Sequence, residues 1–276
     1  MGSRTMQPRL VIGDVHGEFL ALETALTICR EENRRPVFLG DLTDKGRESV
    51  RVLTVVMPLV AGGDADLLLG NHEAKLHKAL KEGAPDPNGP RARLVRDLAR
   101  CEGGSALARL VVDTIEQSPY WLRLEDTTFV HGAFHPSMIE SDPRLAVPQA
   151  LRRLALYGEV QGFDPAGLPV RTYGWIETIP RGHIVVAAHD VRASEPSVFR
   201  NAAGGAAIFL DTGAGKGGPL SAMRFPEMLV VTIDCCTGGV RSQYDLSPGE
   251  APSTIPGEAP STIESETVRS PTAKET

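Results

Sequence analysis

Three short apolar runs near the start of the chain each end in glycine, followed by side chains that bind protons or metals. These ends read Gly13-Asp14-Val15-His16-Gly17, Gly40-Asp41-Leu42-Thr43-Asp44-Lys45-Gly46 and Gly70-Asn71-His72-Glu73. The runs at 9–13, 36–40 and 66–69 are predicted strands, and amphipathic helical stretches at 18–32 and 48–59 separate them. This order predicts parallel strands whose carboxyl ends meet at one edge of a sheet. The chain is therefore predicted to be an α/β protein.

The rest of the chain continues with helices and then with more strands. Residues 74–118 are predicted to form two or three helices around a polar loop at 85–90. Further strands are predicted at 121–124, 127–130, 183–188, 206–210, 221–225 and 228–233. The last segments are spaced like hairpins, which indicates an antiparallel portion.

Two of these later strands also end in a histidine, at His131-Gly132 and at Ala188-His189-Asp190. A single Asp or Asn after a strand is ordinarily a turn residue. Five strand ends that each deliver an Asp, Asn or His are not explained by turn chemistry alone. Ligands of open α/β sheets bind at the carboxyl ends of strands. The pattern therefore predicts a metal site at that edge.

The same motifs resemble a known family. GDVHG, GDLTDKG, GNHE, the later His-Gly and the histidine after VVAA are similar to those of calcineurin-like metallophosphoesterases, in the branch of phosphoprotein phosphatases and diadenosine tetraphosphatases. Segments 155–159, 167–169, 211–213 and 217–227 look most like the phosphatase module of bacterial polynucleotide kinase-phosphatases. The resemblance spans residues 8–234 and implies a β-sandwich of mixed sheets flanked by helices.

The resemblance also implies a site for two divalent ions. The implied ligands are Asp14, His16, Asp41, Asn71, His131 and His189, with Asp41 shared by both ions. Mixed carboxylate, imidazole and amide ligands suit manganese, with iron, zinc or nickel as alternatives. Two such ions bind phosphate oxygens and lower the pKa of the water between them, which would attack the phosphorus.

Five further residues receive roles from the same resemblance. His72 would protonate the leaving oxygen as the general acid, and Asp44 would orient its ring. Lys45 stands where the family has an arginine that clamps the substrate phosphate, and Lys cannot copy that planar fork. Arg47 is the alternative residue for this contact. Asp211 is expected to support the metal site from behind the ligands.

Other polar residues receive structural interpretations. Glu73 is predicted to support or cap the helix that begins nearby. His77, His135 and His183 occupy no motif position and are expected at the surface or in supporting roles. The spacing of His72 and His77 is one residue too long for a zinc-protease helix. The Gly-rich stretch around Lys216 lacks the glycine and hydroxyl residue that a nucleotide-binding loop requires.

Composition divides the chain into three parts. Residues 1–7 are expected to be a flexible leader, and residues 8–246 a metallophosphoesterase domain with a helical insert at 74–118. The remainder, 247–276, contains PGEAPSTI twice in tandem and no aromatic residue. Such a segment cannot bury enough apolar surface to offset its ordering entropy. We therefore predict a disordered tail, which could recruit an unknown partner.

Charge and cysteine content exclude several classes of protein. The net charge is −6 and no long basic run occurs, so a platform for duplex nucleic acid is not predicted. Four cysteines without a CxxC spacing argue against a structural zinc site and against a disulfide framework. No apolar stretch reaches the length of a membrane span. A cytoplasmic protein is expected.

The leading functional hypothesis is hydrolysis of phosphate esters on nucleotides or nucleic-acid ends. A Ser/Thr protein phosphatase and a diadenosine tetraphosphatase remain alternatives, because they share these motifs. A degenerate binding module is the non-enzymatic alternative. Residues 74–118 and 132–180 are expected to set the specificity, and their sequence does not choose among these substrates.

Overall fold

The structure is a computed structural model that describes residues 7–247. Residues 1–6 of the predicted leader and 248–276 of the predicted tail lie outside the described residues. The helices are α1 (Phe19–Glu31), α2 (Ser49–Ala61), α3 (Asn71–Glu82), α4 (Pro90–Arg100), α5 (Gly104–Gln117) and α6 (Gln149–Tyr157). The strands are β1 (Arg9–Ile12), β2 (Arg35–Phe38), β3 (Asp66–Leu67), β4 (Trp121–Leu124), β5 (Thr127–Val130), β6 (Glu159–Phe163), β7 (Pro169–Thr172), β8 (Ile184–Ala187), β9 (Ser197–Arg200), β10 (Ala206–Phe209), β11 (Leu220–Phe225), β12 (Leu229–Ile233) and β13 (Val240–Asp245).

Two mixed sheets and one hairpin contain these strands. The first sheet has the order β13-β12-β11-β1-β2-β3, the second has the order β4-β5-β8-β10-β9, and β6 pairs with β7. β1, β2 and β3 are parallel, as their alternation with helices predicted. β11, β12 and β13 form the antiparallel portion, whereas β8 and β10 lie parallel to each other. The predicted antiparallel pairing is therefore found in β11–β13 and also between β4 and β5, but not between β8 and β10.

The two sheets pack face to face. Along β1, Val11 belongs to a core cluster shared with Phe129 and Ile208 of the second sheet. Leu10 and Ile12 point to the opposite face and pack in a cluster that contains residues of α1 and α2. Alternate side chains of a strand point to opposite faces, so β1 is covered on both sides. The predicted β-sandwich of mixed sheets flanked by helices is confirmed.

The helical part of the chain begins earlier than its sequence suggested. α3 starts at Asn71, whereas helical sequence was predicted only after Glu73, and β3 is correspondingly reduced to two residues. α3, α4 and α5 occupy the segment for which two or three helices were predicted. The longest of them, α5, has 14 residues. No helix among residues 7–247 has the length and apolar character needed to cross a membrane.

Several elements were not predicted from the sequence. They are α6, β6, β7, β9 and β13. The β6–β7 hairpin is mostly exposed, with Phe163 at 73% exposure, so burial does not impose an apolar alternation on it. β13 is an edge strand with the polar sequence VRSQYD. Pairing with β12, rather than a hydrophobic pattern, defines this strand.

Candidate active site

The loops that follow β1, β2, β3, β5 and β8 carry the predicted site residues to one edge of the sandwich. Among residues 7–247, seven residues other than glycine have positive φ angles, and four of them lie in these loops. These four are His16 (φ 47°), Asp41 (φ 51°), Asp44 (φ 81°) and His189 (φ 69°). Such a conformation is unfavourable for residues with a Cβ atom and persists where the surroundings fix it, often at functional sites.

Two glycines let the loops after β2 and β3 approach each other closely. A Cβ atom on Gly40, whose φ is 105°, would lie 2.6 Å from the backbone nitrogen of Gly70. A Cβ atom on Gly70 would overlap Oδ1 of Asp41. The glycines of GDLTDKG and GNHE are therefore required by backbone packing, which brings Asp41 and Asn71 to the same place.

Glu73 fixes these two loops. Its buried carboxylate accepts hydrogen bonds from the backbone nitrogens of Asp41 (2.7 Å), Leu42 (2.9 Å) and Gly70 (3.1 Å). The backbone nitrogen of His72 in turn donates to Oδ1 of Asp41 at 2.9 Å. Glu73 thus holds the loop after β2 against the start of α3, in agreement with its predicted supporting role.

Asp41 occupies the centre of the site. Nε2 of His16 lies 3.8 Å from its Oδ2, Nε2 of His72 lies 3.7 Å from Oδ2, and Nε2 of His131 lies 3.4 Å from Oδ1. Two groups of side chains in the described chain have ligand atoms close enough to hold one ion each. The groups are His16–Asp41–His72 and Asp41–His131–His189, and both include Asp41.

The imidazoles of His16 and His131 are oriented by backbone carbonyls. Nδ1 of His16 lies 2.9 Å from the oxygen of Thr43, and Nδ1 of His131 lies 2.9 Å from the oxygen of Leu39. Because a carbonyl can only accept, each Nδ1 carries the proton and each Nε2 directs a lone pair into the site. Burial also lowers the pKa of His131, which keeps the ring neutral, the form that binds metals.

Asp14 and Asp211 bring uncompensated negative charge to the same site. Both side chains are buried, and Oδ2 of each lacks a hydrogen-bond partner. Burial raises the pKa of Asp14 well above its usual range, and the charges of Asp211 and Asp41 raise it further. Oδ2 of Asp14 lies 3.5 Å from Nε2 of His16. Buried carboxylates that lack partners are ordinarily paired or coordinate metals, so this donor set fits a divalent cation.

Asn71 and His189 complete the second group but also contact cationic side chains. One terminal atom of the Asn71 amide lies 2.9 Å from Oδ2 of Asp41, and the other lies 2.6 Å from Nζ of Lys75. Because the ammonium can only donate, the amide oxygen faces Lys75 in this arrangement. Nδ1 of His189 lies 3.0 Å from Nε2 of His131, and its Nε2 lies 2.9 Å from a guanidinium nitrogen of Arg171. Both residues must release a cationic neighbour to bind a metal.

His72 and Asp44 form the pair that the sequence predicted. Nδ1 of His72 lies 2.6 Å from Oδ2 of Asp44, so the carboxylate accepts a hydrogen bond from the N–H at Nδ1. The His72 side chain is 13% exposed, whereas that of Asp44 is 5% exposed. The same contact would suit a metal-binding histidine, because metal-bound imidazoles usually donate their second N–H to a carboxylate. Geometry alone therefore leaves the acid role of His72 as a prediction.

Lys45 contacts a predicted metal ligand, whereas Arg47 does not. Nζ of Lys45 lies 2.9 Å from Nε2 of His16, and burial together with Lys216 lowers the lysine pKa. Arg47 is exposed and lines a cleft next to His72. Of the two residues predicted to contact phosphate, only Lys45 lies against a predicted metal ligand. Both residues line the neighbouring cleft.

Three basic residues near the site were not predicted from the sequence. Arg171 of β7 reaches His189, Lys75 of α3 reaches Asn71, and Nε of Arg91 in α4 lies 3.6 Å from Oδ2 of Asp44. None follows a strand of the two sandwich sheets, so the pattern that revealed the other residues did not include them. His77, by contrast, contacts Glu116 at the surface, and His183 is buried against Thr128, both away from the site.

Comparisons with known proteins identify the class of this site. The sequence pattern described as calcineurin-like phosphoesterase matches residues 8–193. The chain belongs to the calcineurin-like phosphoesterase family, whose members are hydrolases that act on phosphate esters and use divalent metals.

Two related sequences and one solved structure are similar to most of this chain. Over 240 residues the chain is 29% identical to a bis(5'-nucleosyl)-tetraphosphatase PrpE [asymmetrical] of Oceanobacillus iheyensis, covering 81% of this chain and 90% of that protein. It is 28% identical to the protein of the same name from Anoxybacillus flavithermus, covering 81% and 92%. A crystal structure of a protein proposed to be a diadenosine tetraphosphatase superposes with a TM-score of 0.53 at 21% identity, covering 84% of this chain and 96% of that one. That structure supports the fold alone.

Proposed function

We propose that this protein is a dinuclear metal-dependent phosphoesterase that removes phosphate from nucleotides or nucleic-acid ends. The observation that carries the proposal is the position of Asp41, which belongs to two adjoining groups of ligand atoms. The partnerless oxygens of Asp14 and Asp211 add negative charge that a pair of cations would balance. Manganese is the proposed metal, and iron, zinc and nickel are alternatives.

The ligand assignment combines the two groups with the family motifs, so that Asp14 replaces His72 in the first group and Asn71 joins the second. Asp14 and His16 would hold one ion and share Asp41 with the other, which Asn71, His131 and His189 would complete. Bound divalent ions would supply positive charge for the phosphate oxygens and lower the pKa of water at the site. The backbone hydrogen bonds of His16 and His131 already present the correct ring nitrogen, so the two rings need no reorientation, and Nε2 of His16 must only release Lys45.

His72 is proposed as the general acid. With Nδ1 held by Asp44, its Nε2 is the nitrogen that faces the site, 3.7 Å from Oδ2 of Asp41. A proton on Nε2 can pass to the leaving oxygen as its bond to phosphorus breaks. Asp44 fixes the ring orientation and stabilises the protonated imidazole, as a carboxylate does for a catalytic histidine.

Two cationic side chains are proposed to hold the phosphate that is transferred. Lys45 approaches from the side of His16, and Arg171 approaches from the side of His189. Arg171 would lose its hydrogen bond to His189 when that ring binds a metal through Nδ1, because Nε2 then carries the proton. Its Nη2 is then free to donate to a phosphate oxygen, while Nη1 still donates to the carbonyl of Tyr157 and Nε stays beside Asp190. Arg171 can thus add one charge-assisted contact to the one that Lys45 provides.

A dinucleoside tetraphosphate is the second candidate substrate. The relatives named as bis(5'-nucleosyl)-tetraphosphatases cover about nine-tenths of their own length in the match, so the likeness extends over most of each protein. The motif resemblance to polynucleotide kinase-phosphatases supports nucleic-acid-end phosphates instead. Both substrates present a phosphate on a nucleotide, and the same ligands and acid would act on either.

A substrate panel tests the proposal. Purified protein would be assayed with manganese on p-nitrophenyl phosphate, nucleotide monophosphates, cyclic nucleotides, a 3'-phosphorylated oligonucleotide, diadenosine tetraphosphate and a phosphopeptide. We expect metal-dependent turnover that chelator abolishes, with nucleotides preferred over the phosphopeptide. Full activity in chelator would exclude the metal mechanism, and a preference for the phosphopeptide would exclude the proposed substrate class.

A further inference from the structure

A large cleft adjoins the site on the side of His72. It has a volume of about 810 Å³ and lies between the loop that runs from Asp44 to Arg51 and the first turns of α4. This volume falls in the range of small-molecule sites, about 300–1,000 Å³, and exceeds what a single phosphoryl group requires. His72 forms part of its wall, so the cleft begins where the proposed acid meets the leaving oxygen.

The cleft is cationic although the whole chain carries a net charge of −6. Its basic residues are Lys45, Arg47, Arg51, Arg91 and Arg93, against three carboxylates. Arg51 is neutralised by Glu48, whose Oε1 lies 2.9 Å from it. The side chains of Arg47 and Arg93 form no hydrogen bond or ion pair within residues 7–247. Positive charge is therefore available to an anion bound in the cleft.

Arg91 is the basic residue that connects the cleft with the catalytic pair. It is the second residue of α4, and its side chain is 28% exposed. Its Nε is buried without a hydrogen-bond partner and lies 3.6 Å from Oδ2 of Asp44. Nε therefore keeps the guanidinium beside Asp44, and the exposed part of the side chain is what an anion in the cleft can contact. Apolar residues Val50 and Leu94 line the same cleft and offer a surface for a sugar or base.

We propose that the cleft binds the leaving group of the reaction and that this leaving group itself carries phosphate, as in a nucleoside polyphosphate. The inference rests on the proposed function, because it takes His72 as the acid. Hydrolysis breaks the bond between phosphorus and the leaving oxygen, and the hydroxide part of water joins the phosphorus. The remaining proton passes to the leaving oxygen through His72. Arg91 then contacts the phosphate next to that oxygen, which determines specificity for polyphosphates over simple esters.

Binding of ADP, the leaving group of ATP, tests the site without any turnover. Calorimetry in chelator would compare the wild type with Arg91→Ala, Arg91→Lys and Arg100→Ala. Arg100 is the matched control because it is exposed, lies on the same helix, carries the same charge and does not line the cleft. Loss of one charge-assisted hydrogen bond predicts a 10- to 150-fold weaker Kd in Arg91→Ala. Arg91→Lys should bind with an intermediate Kd, and Arg100→Ala should match the wild type.

Kinetics separate this inference from the proposed function. The ratio of kcat/KM for ATP to kcat/KM for p-nitrophenyl phosphate should fall 10- to 150-fold in Arg91→Ala and stay constant in Arg100→Ala. A wild type that hydrolyses p-nitrophenyl phosphate but does not bind ADP would overturn the inference and leave the proposed function standing. An unchanged ratio in Arg91→Ala would also overturn it, because Arg91 would then act only through Asp44. A wild type without metal-dependent turnover on any substrate would refute the proposed function itself.

Discussion

The two ends of strands β1, β2 and β3 use charged side chains in opposite ways. At the amino ends, the first residues of the three strands are Arg9, Arg35 and Asp66. Asp66 accepts hydrogen bonds from Arg9 at 2.6 Å and from Arg35 at 2.9 Å through both carboxylate oxygens. Nearby, Arg34 binds Glu227 in a bidentate contact at 2.8 and 2.9 Å. Each carboxylate at this end has a protein cation as its partner.

At the carboxyl ends the carboxylates converge without such partners. Asp14 and Asp41 are each 2% exposed, and Oδ2 of Asp14 has no hydrogen bond. Asp211 adds a third carboxylate, also with a partnerless Oδ2. Isolated buried charge is costly, so an additional cation would stabilise such an arrangement. We infer that the carboxylates at the amino ends stabilise the fold, whereas those at the carboxyl ends serve to bind a ligand.

The largest effect is expected at Asp41, because it belongs to both ligand groups. Asp41→Asn removes the charge that would be shared by the two ions while keeping the side-chain shape. We expect loss of bound metal and a fall in turnover of more than about 100-fold. Loss of a residue that only hydrogen-bonds to a metal ligand costs up to about 100-fold, and loss of a shared ligand should cost more. Elemental analysis and kcat with p-nitrophenyl phosphate measure both effects. A purified variant with two tightly bound ions and near-normal turnover would show that Asp41 does not bridge.

His72→Ala should act on turnover but not on metal content. Its removal deletes the proposed proton donor, and kcat should fall by roughly 10²–10⁴-fold on alkyl phosphates. The loss should be smaller on p-nitrophenyl phosphate, since its leaving group needs little protonation. Metal analysis decides between the two roles that the His72–Asp44 contact permits. A variant that loses one ion, or an equal loss on both substrates, would make His72 a ligand rather than the acid.

The position of a residue relative to the strands determined whether the sequence predicted it as part of the site. Asp14, Asp41 and Asn71 follow strands whose apolar runs are easily recognised, and parallel strands necessarily bring their carboxyl ends together. Arg171 lies on β7, an exposed strand without periodicity, and reaches His189 through the packing of a hairpin. Arg91 comes from α4, whose direction depends on contacts with α5 that no local pattern encodes. Motif residues were therefore predicted, while the basic residues that reach the site from distant elements were not.

Substitution of Lys45 tests whether a protein cation contacts the substrate phosphate beside Asp14 and Asp41. Its Nζ lies against His16, so we expect Lys45→Ala to remove one charge-assisted contact to phosphate. Such a contact contributes about 1.5–3 kcal/mol, which predicts a 10- to 150-fold loss in kcat/KM on a monoester. Lys45→Arg should keep or raise the activity because its fork matches two oxygens.

Arg47→Ala provides the comparison for Lys45, since Arg47 lies two residues further on and faces the cleft. On p-nitrophenyl phosphate, whose leaving group carries no phosphate, Arg47→Ala should cost less than Lys45→Ala. A silent Lys45→Ala together with a severe Arg47→Ala would reverse the two assignments.

The smallest effects concern stability, where one chemical change should have opposite signs at the two ends of the sheet. In chelator, Asp66→Asn leaves Arg9 and Arg35 without a charged partner and should lower the free energy of unfolding by about 1–3 kcal/mol. Asp14→Asn removes a buried charge that other carboxylates repel, and should raise it by about 0.5–2 kcal/mol. Urea unfolding of both variants and the wild type measures these differences. With manganese present the order of Asp14→Asn and the wild type should reverse, because the ion stabilises only a protein that binds it. If Asp14→Asn destabilises the protein in chelator as much as Asp66→Asn does, Asp14 already has a stabilising partner within the chain, and the contrast between the two ends fails.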